Sequence, residues 1–306
     1  MSMKYNKIPD TDLNISAISL GTWVFGGDVW GSAPEKDCID AVHAAIRCGI
    51  NLIDTAPIYG YGRSEKVVGK AIKGKRDRII LATKCGLKGR DLNITVDLSP
   101  EFIREEIENS LRRLKVDCID IYQCHWPDEE TPVEETMKCL LELKKEGKIR
   151  YIGVSNFSKK QVEEALEYAP IATLQNHYSL LERSIEKEIL GFCRQKGVGI
   201  ITYGSLGGGI LSGKYRQKKK FSNSDARGFF YHFYNGRDFE RAEEIVGVLR
   251  DIAERGNHPL NQVALNWIRQ KDGITSAIVG CRNSKQAESN AGACTWDLYK
   301  EDIARL

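Results

Sequence analysis

Asp54 in NLIDTA, Tyr59 in PIYGYG, Lys84 in LATKCG and His125 in IYQCHW each stand at or just past the C-terminal end of an apolar run of strand length. Ionisable side chains at successive strand ends converge on one mouth if those strands curl into a parallel barrel. A phenol flanked by an ammonium and a carboxylate is a proton-transfer device. An unperturbed phenol titrates near ~10 and gives up its proton poorly at neutral pH. A nearby ammonium favours the phenolate and lowers that value, while a carboxylate fixes and balances the ammonium. Tyr59 is therefore expected to act as a general acid tuned by Lys84 and Asp54, with His125 bonded to the phenol or to a substrate oxygen.

Such groups need a frame. Apolar runs at 17–21, 50–56, 78–84, 118–125, 149–155, 171–175, 198–204 and 276–280 alternate with amphipathic stretches near 35–48, 63–73, 100–114, 133–146, 158–168, 185–196 and 241–270. Near-continuous apolar strands divided by helices imply a parallel sheet covered on both faces. Eight such units without a composition break predict an α/β chain of one domain, a (β/α)8 TIM barrel over residues 1–306. Ser99-Pro100, Thr131-Pro132 and Ser158 offer helix starts. Gly49, Gly147 and Gly197 each follow a helical run, where a left-handed residue is wanted. The connection from Gly213 to Arg241 is long and rich in Lys, Gly, Ser, Asn and aromatics. Since it follows the seventh strand, it is expected at the catalytic face, placed to close over a bound ligand.

Charge and cysteine usage exclude several classes. A net charge of +3 supplies no basis for a nucleic-acid or membrane-surface partner, and the basic run Lys218–Lys220 reads as solvated loop. Nine scattered cysteines without a C-x-x-C pair, among them Cys118, Cys124 and Cys193 in apolar runs, fit a reducing cytoplasm. No 18-residue apolar stretch exists, and MSMKYNKIPD lacks a signal-peptide core, so no membrane association is expected. No histidine or carboxylate cluster has metal-ligand spacing. His43, His177, His232 and His258 read as local hydrogen-bonding or surface residues. Trp23, Trp126 and Phe157 follow strand ends and are candidates for an apolar substrate wall, with Trp30 and Tyr61 as further candidates.

Taken together, the motifs resemble the aldo-keto reductase family over essentially the whole chain. SLGTWVFGG, NLIDTAPIYGYGRSEKVVGKAI, LATKCG, RRLKVDCIDIYQCHWPD, GKIRYIGVSNFS, LQNHYSLLER, ITYGSLGGGILSGKY and AIVGCRNSKQAESN follow one another in that family's order. The family's catalytic Asp, Tyr, Lys and His match Asp54, Tyr59, Lys84 and His125. The resemblance implies reduction of aldehydes or ketones to alcohols, and the reverse, on NADP(H) in preference to NAD(H). It also implies a nicotinamide cofactor bound without a Rossmann fold, and no G-x-G-x-x-G follows the first strand. By the same match, Thr22, Trp23 and Asp54 border the cofactor, and Ser155, Asn156 and Gln175 hold its carboxamide. Tyr203 stacks on the nicotinamide ring. Gly204, Ser205, Leu206, Gly209 and Lys214 lie on the pyrophosphate. Gly280, Arg282, Ser284, Gln286 and Asn290 take the adenosine end, with Arg282 on the 2′-phosphate. Trp23, Tyr59, His125 and Trp126 face the substrate. Two positions depart from the pattern. Relatives often have Pro at Ser205, which is expected to loosen the pyrophosphate turn, and Glu at Ser289, which touches the adenine contacts.

Two other functions fit the same barrel. One is a nucleotide-binding regulatory subunit with little turnover, since a fold alone does not decide activity. The other is a Schiff-base aldolase using Lys84, which would need a neutral lysine, whereas Asp54 beside it favours the charged form.

Overall fold

The computed structural model describes residues 2–90, 93–215, 217, 220–222 and 224–306. Its centre is a ring of eight parallel strands: β3 (Ile18–Gly21), β4 (Leu52–Asp54), β5 (Ile80–Cys85), β8 (Ile119–Cys124), β9 (Ile149–Ser155), β10 (Ile171–His177), β11 (Gly199–Tyr203) and β12 (Ile274–Gly280). Closure comes from β12 pairing with β3, Gly280 opposite Gly21. The helices outside are α1 (Glu35–Arg47), α2 (Arg63–Ala71), α3 (Pro100–Leu114), α4 (Val133–Lys145), α5 (Lys159–Tyr168) and α6 (Ile189–Lys196) in the first six units. One face of each strand packs on these helices. The other faces the barrel interior, which explains why the strands read as continuous apolar runs.

Local signals account for most helix ends. Ser99 accepts from the Phe102 amide at 3.4 Å, and Ser158 exchanges bonds with Gln161 in a reciprocal cap. Gly49, Gly147 and Gly197 have φ of 88°, 77° and 71°, the left-handed geometry expected of them. Thr131 does not cap α4; Pro132 itself occupies the cap, with no side-chain bond.

Three features differ from the sequence reading. The stretch 241–270 is two helices, α8 (Gly236–Gly256) and α9 (Leu260–Arg269). Asn257 turns left-handed at φ 51°, and Pro259 restricts His258 before it, so the chain breaks there. The connection after β11 carries structure of its own, with α7 (Ala226–Phe229), a 3-10 turn at His232–Tyr234 and the first turn of α8. Lys218 and Lys219 of the basic run lie outside the described residues. The chain then continues through α10 (Ser284–Ala291) and α11 (Lys300–Arg305), the latter unexpected.

Two hairpins were also not anticipated. β1 (Tyr5–Lys7) and β2 (Asn14–Ser16) form a floor under the barrel, where Ile8, Leu13 and Ile15 pack on Leu52, Ala82, Ile121, Ala172, Ile201 and Ile278. β6 (Leu87–Arg90) and β7 (Asn93–Val96) rise at the opposite end, directly after β5. Among the described residues, no helix is long and apolar enough to cross a membrane.

Candidate active site

Strand register brings the four ionisable residues together. Asp54 ends β4, Lys84 lies near the end of β5 opposite Gln123, and His125 follows the last residue of β8. Lys84 Nζ lies 2.6 Å from Asp54 Oδ1, 3.0 Å from the Thr55 carbonyl and 3.3 Å from the Tyr59 hydroxyl. Both members of the pair are almost fully buried, with side chains 1% and 4% exposed. Burying two charges is costly unless their remaining hydrogen-bonding capacity is filled. Here it is filled: the second Asp54 oxygen accepts from Gln175 at 2.9 Å and from Gln123 at 3.3 Å, and Gln175 also donates to Gln123 at 3.3 Å.

Tyr59 sits on a sharp turn. Gly60, Tyr61 and Gly62 follow it with φ of 59°, 52° and 88°, and a Cβ on Gly60 would run into the Gly26 carbonyl. Only glycine meets both demands at position 60. The phenol ring stacks on Trp23 (5.7 Å, 23°) and meets His125 edge-on (5.9 Å, 80°).

Electrostatics correct one expectation. Burial pushes the Tyr59 phenol well above its ordinary value, and the Asp54 and Asp28 carboxylates push the same way. Lys84 does not reverse this, because its charge is balanced by Asp54 at 2.6 Å. Burial also lowers the Lys84 ammonium, against the Asp54 attraction that raises it. His125 is driven well below its ordinary value by burial and by the Lys84 charge, so its imidazole is neutral. The pocket thus holds a protonated phenol beside an ammonium and a neutral imidazole.

All but one of the remaining cofactor candidates line the same cavity, of about 1300 Å³. Ser155 donates to the Gln175 carbonyl at 2.8 Å, and Tyr203 donates to Asn156 Oδ1 at 2.7 Å. Asn156, at φ 63°, donates in turn to the His125 carbonyl at 2.9 Å and to Ser155 at 3.1 Å. Thr22 donates to the Asp54 carbonyl at 2.9 Å. Gly204, Leu206, Gly209 and Lys214 follow on the loop after β11, where Gly204, Gly208 and Gly209 adopt φ of 70°, 67° and 104°. Side chains there would strain the backbone and crowd its exposed amides. Ser205 does not loosen that loop. It donates to the Ile278 carbonyl at 2.7 Å and ties the loop to β12.

At the far end, Gly280, Arg282, Gln286 and Asn290 line the cavity, but Ser284, the first residue of α10, does not. The Arg282 guanidinium donates to the carbonyls of Trp30 and Ser32, and its backbone amide donates to Gln286 Oε1 at 2.8 Å. A guanidinium has five N–H donors, so two such bonds orient the group and leave others free. Ser289 pairs with Asn261, which also donates to Asn290 at 2.9 Å.

The wall above Tyr59 is apolar. Trp23, Trp30, Tyr61 and Trp126 line it, joined by Leu87, Ile94 and Val96 of the β6–β7 hairpin and by Phe229 and Phe230 of the long connection. The hairpin residues were missed because each strand is only four residues long and mixes Leu87, Ile94 and Val96 with polar neighbours, too little for alternation to register. Phe157 is not on this wall; it is 2% exposed and packs in the core. The connection spans the mouth: the Ala226 amide donates to the Val29 carbonyl at 2.8 Å, and Phe230 meets Trp23 edge-on at 5.6 Å.

His177 is neither a surface residue nor a local donor. Its ring lies parallel to Tyr203 (5.2 Å, 11°), its buried Nε2 has no hydrogen-bond partner among the described residues, and burial lowers its pKa to about 4. His43 bonds the Ala71 carbonyl at 2.9 Å, His258 stacks on Trp296, and His232 lies near Asp238 at 3.9 Å. No group of described residues could hold a metal ion.

Comparison with known proteins gives one answer. A family model described as the aldo/keto reductase family matches residues 17–306. The chain is 42% identical to the aldo-keto reductase YhdN of Bacillus subtilis (strain 168), over 98% of its own length and 91% of that protein's. It is 35% identical to the NADH-specific methylglyoxal reductase of Escherichia coli (strain K12), over 99% and 97% of the two chains. Among solved structures, the glycerol dehydrogenase from Gluconobacter oxydans superposes with a TM-score of 0.90 at 37% identity, covering 100% of this chain and 94% of that one. An aldo/keto reductase from Klebsiella pneumoniae in complex with NADP and acetate has a TM-score of 0.77 at 28% identity, covering 99% and 94%.

Proposed function

The chain belongs to the aldo/keto reductase family, and we propose that it interconverts aldehydes or ketones with alcohols on NADP(H), with Tyr59 as the general acid. Oxidoreduction of carbonyls and alcohols with a nicotinamide cofactor is the family's chemistry. The observation that carries the residue-level reading is the Tyr59 hydroxyl 3.3 Å from Lys84 Nζ, in a cavity bordered by Ser155, Asn156 and Gln175.

The donor set fits the cofactor. Ser155 and Gln175 offer the donor and acceptor that a carboxamide needs. Tyr203 offers a ring face, the glycine-rich loop with Lys214 offers amides and charge to phosphates, and Arg282 with Gln286 borders the adenosine end. When bound, the cofactor supplies or takes the hydride. The chain's own residues manage the proton. Burial keeps Tyr59 protonated until a substrate oxygen gains negative charge beside it, and the adjacent Lys84 ammonium then stabilises the phenolate left behind. Neutral His125 hydrogen-bonds that oxygen and fixes its direction. Asp54 keeps Lys84 in place.

NADP(H) preference rests on Arg282, the cation at the adenosine end. The described residues of the connection 213–241, among them Lys214, Arg227 and Phe230, cover the nucleotide in this reading. The aromatic wall of Trp23 and Trp126 favours a carbonyl with an apolar flank, while the relatives named for methylglyoxal and glycerol support small substrates. All nine cysteines are free, which supports a cytoplasmic setting. A panel of aldehydes and ketones, followed by NADPH absorbance, tests the activity directly. No turnover across that panel, with tight NADPH binding retained, would instead identify a regulatory nucleotide-binding protein.

A further inference from the structure

Helix α2 and the end of α3 cross so closely that a Cβ on Gly69 would lie 2.6 Å from the Leu114 carbonyl. The crossing gathers basic side chains from both helices around a cleft of about 470 Å³, outside the main cavity. Arg63, Lys66 and Lys70 come from α2, and Arg112, Arg113 and Lys115 from the end of α3. Glu35 is the one acid lining it among the described residues.

Two of these cations are already neutralised. Lys70 pairs with Glu35 at 2.7 Å, and Arg113 pairs with the buried Glu65 at 2.5 Å. The other four have no carboxylate partner among the described residues. Arg63 spends donors on the carbonyls of Phe25 and Ala33, and Arg112 reaches Asn109 at 3.0 Å. Helix dipoles explain only part of the cluster. Arg112 and Arg113 lie in the last turn of α3, where cations are favoured, but Arg63 and Lys66 lie in the first turn of α2, where they are disfavoured. Arg63, Lys66, Arg112 and Lys115 therefore keep a mutual repulsion that no carboxylate among the described residues offsets. An anion in the cleft would attract each of these cations and offset their mutual repulsion.

We propose that this cleft is a binding site for a small multivalent anion of the oligophosphate class. Its volume suits a small molecule, and the guanidinium forks of Arg63 and Arg112 match tetrahedral phosphate oxygens. Gly60 lines the cleft, and Tyr61 lines both it and the main cavity, so the occupant lies behind the turn that carries Tyr59.

Isothermal titration of the full chain with inorganic tripolyphosphate, at a fixed ionic strength of about 0.1 M, tests the site apart from any turnover. Saturable binding that persists when the main cavity is first filled with NADP+ is expected, weakened at least about tenfold in the exposed triple variant Lys66→Ala/Arg112→Ala/Lys115→Ala, a loss of about 1.4 kcal/mol. Lys66→Ala alone, which touches no packed group, should show a smaller loss if the triple variant folds poorly. Arg282→Ala and Lys214→Ala, in the main cavity, should leave this binding unchanged. Absence of saturable binding, or binding lost in the main-cavity variants and kept in the cleft variants, overturns the assignment.

Discussion

Gln175 donates a 2.9 Å hydrogen bond to Asp54, joining a residue on β10 to the carboxylate that holds Lys84. The side chain proposed to read the cofactor's carboxamide therefore shares a network with the proton-transfer group. Gln123 completes it from β8, touching both partners at 3.3 Å. A ligand that pulls on Gln175 would be felt at Lys84.

Replacing Tyr59 by Phe removes the proton donor and leaves the ring stacked on Trp23. Turnover in carbonyl reduction should fall by about 10²–10⁴, the usual worth of a general acid. Cofactor affinity, read by fluorescence titration, should stay within a factor of about two. Reduction at the parental rate would show that another group supplies the proton.

Gln123→Leu strips Asp54 of one of its two amide donors inside the barrel. An unmet buried acceptor costs about 1–3 kcal/mol. Turnover should drop, and its pH profile should shift, because Asp54 would hold Lys84 less firmly. A loss of stability with an unmoved pH profile would reduce Gln123 to a packing role.

Arg282→Ala should weaken NADPH more than NADH, by about 1–2 kcal/mol for a charge-assisted contact. The carbonyls of Trp30 and Ser32 lose their donor in the same variant, so a uniform effect on both cofactors is the competing outcome. Parallel titrations with the two nucleotides separate them. Equal losses refute the phosphate role.

Glu106, on α3, accepts from the Gly86 amide at 2.8 Å, and burial raises its pKa from 4.5 to about 8. Between those values the folded chain keeps a proton that the unfolded chain has released. Stability must therefore decline as pH rises through that window, by up to a few kcal/mol. Glu106→Gln keeps the acceptor for Gly86 and removes the titration. Its melting temperature should fall less than the parent's between about pH 5 and about pH 8. Identical falls would mean that Glu106 ionises without penalty.

The barrel was legible because buried parallel strands read as unbroken apolar runs, and Asp54, Lys84 and His125 interrupt those runs at their ends. The floor was not. YNK and NIS are three residues each, too short for periodicity to register, and the burial of Ile8 and Ile15 depends on Leu52 and Ile121 far along the chain. The direction of the Tyr59 shift is not legible for a related reason: a neighbouring lysine is suggested by strand order, whereas desolvation belongs to the assembled pocket. The α8–α9 break had a signal in Asn257-His258-Pro259, masked by amphipathic spacing on both sides. The basic cleft had none, since Lys66 and Lys115 come together only where two helices cross.

The hairpin beneath the barrel has a practical consequence. Its exposed tip at Pro9–Asp10 lies beneath the barrel, at the end away from the rim carrying Tyr59 and His125. An enzyme tethered to a solid support through that tip would stand with its opening turned toward the liquid.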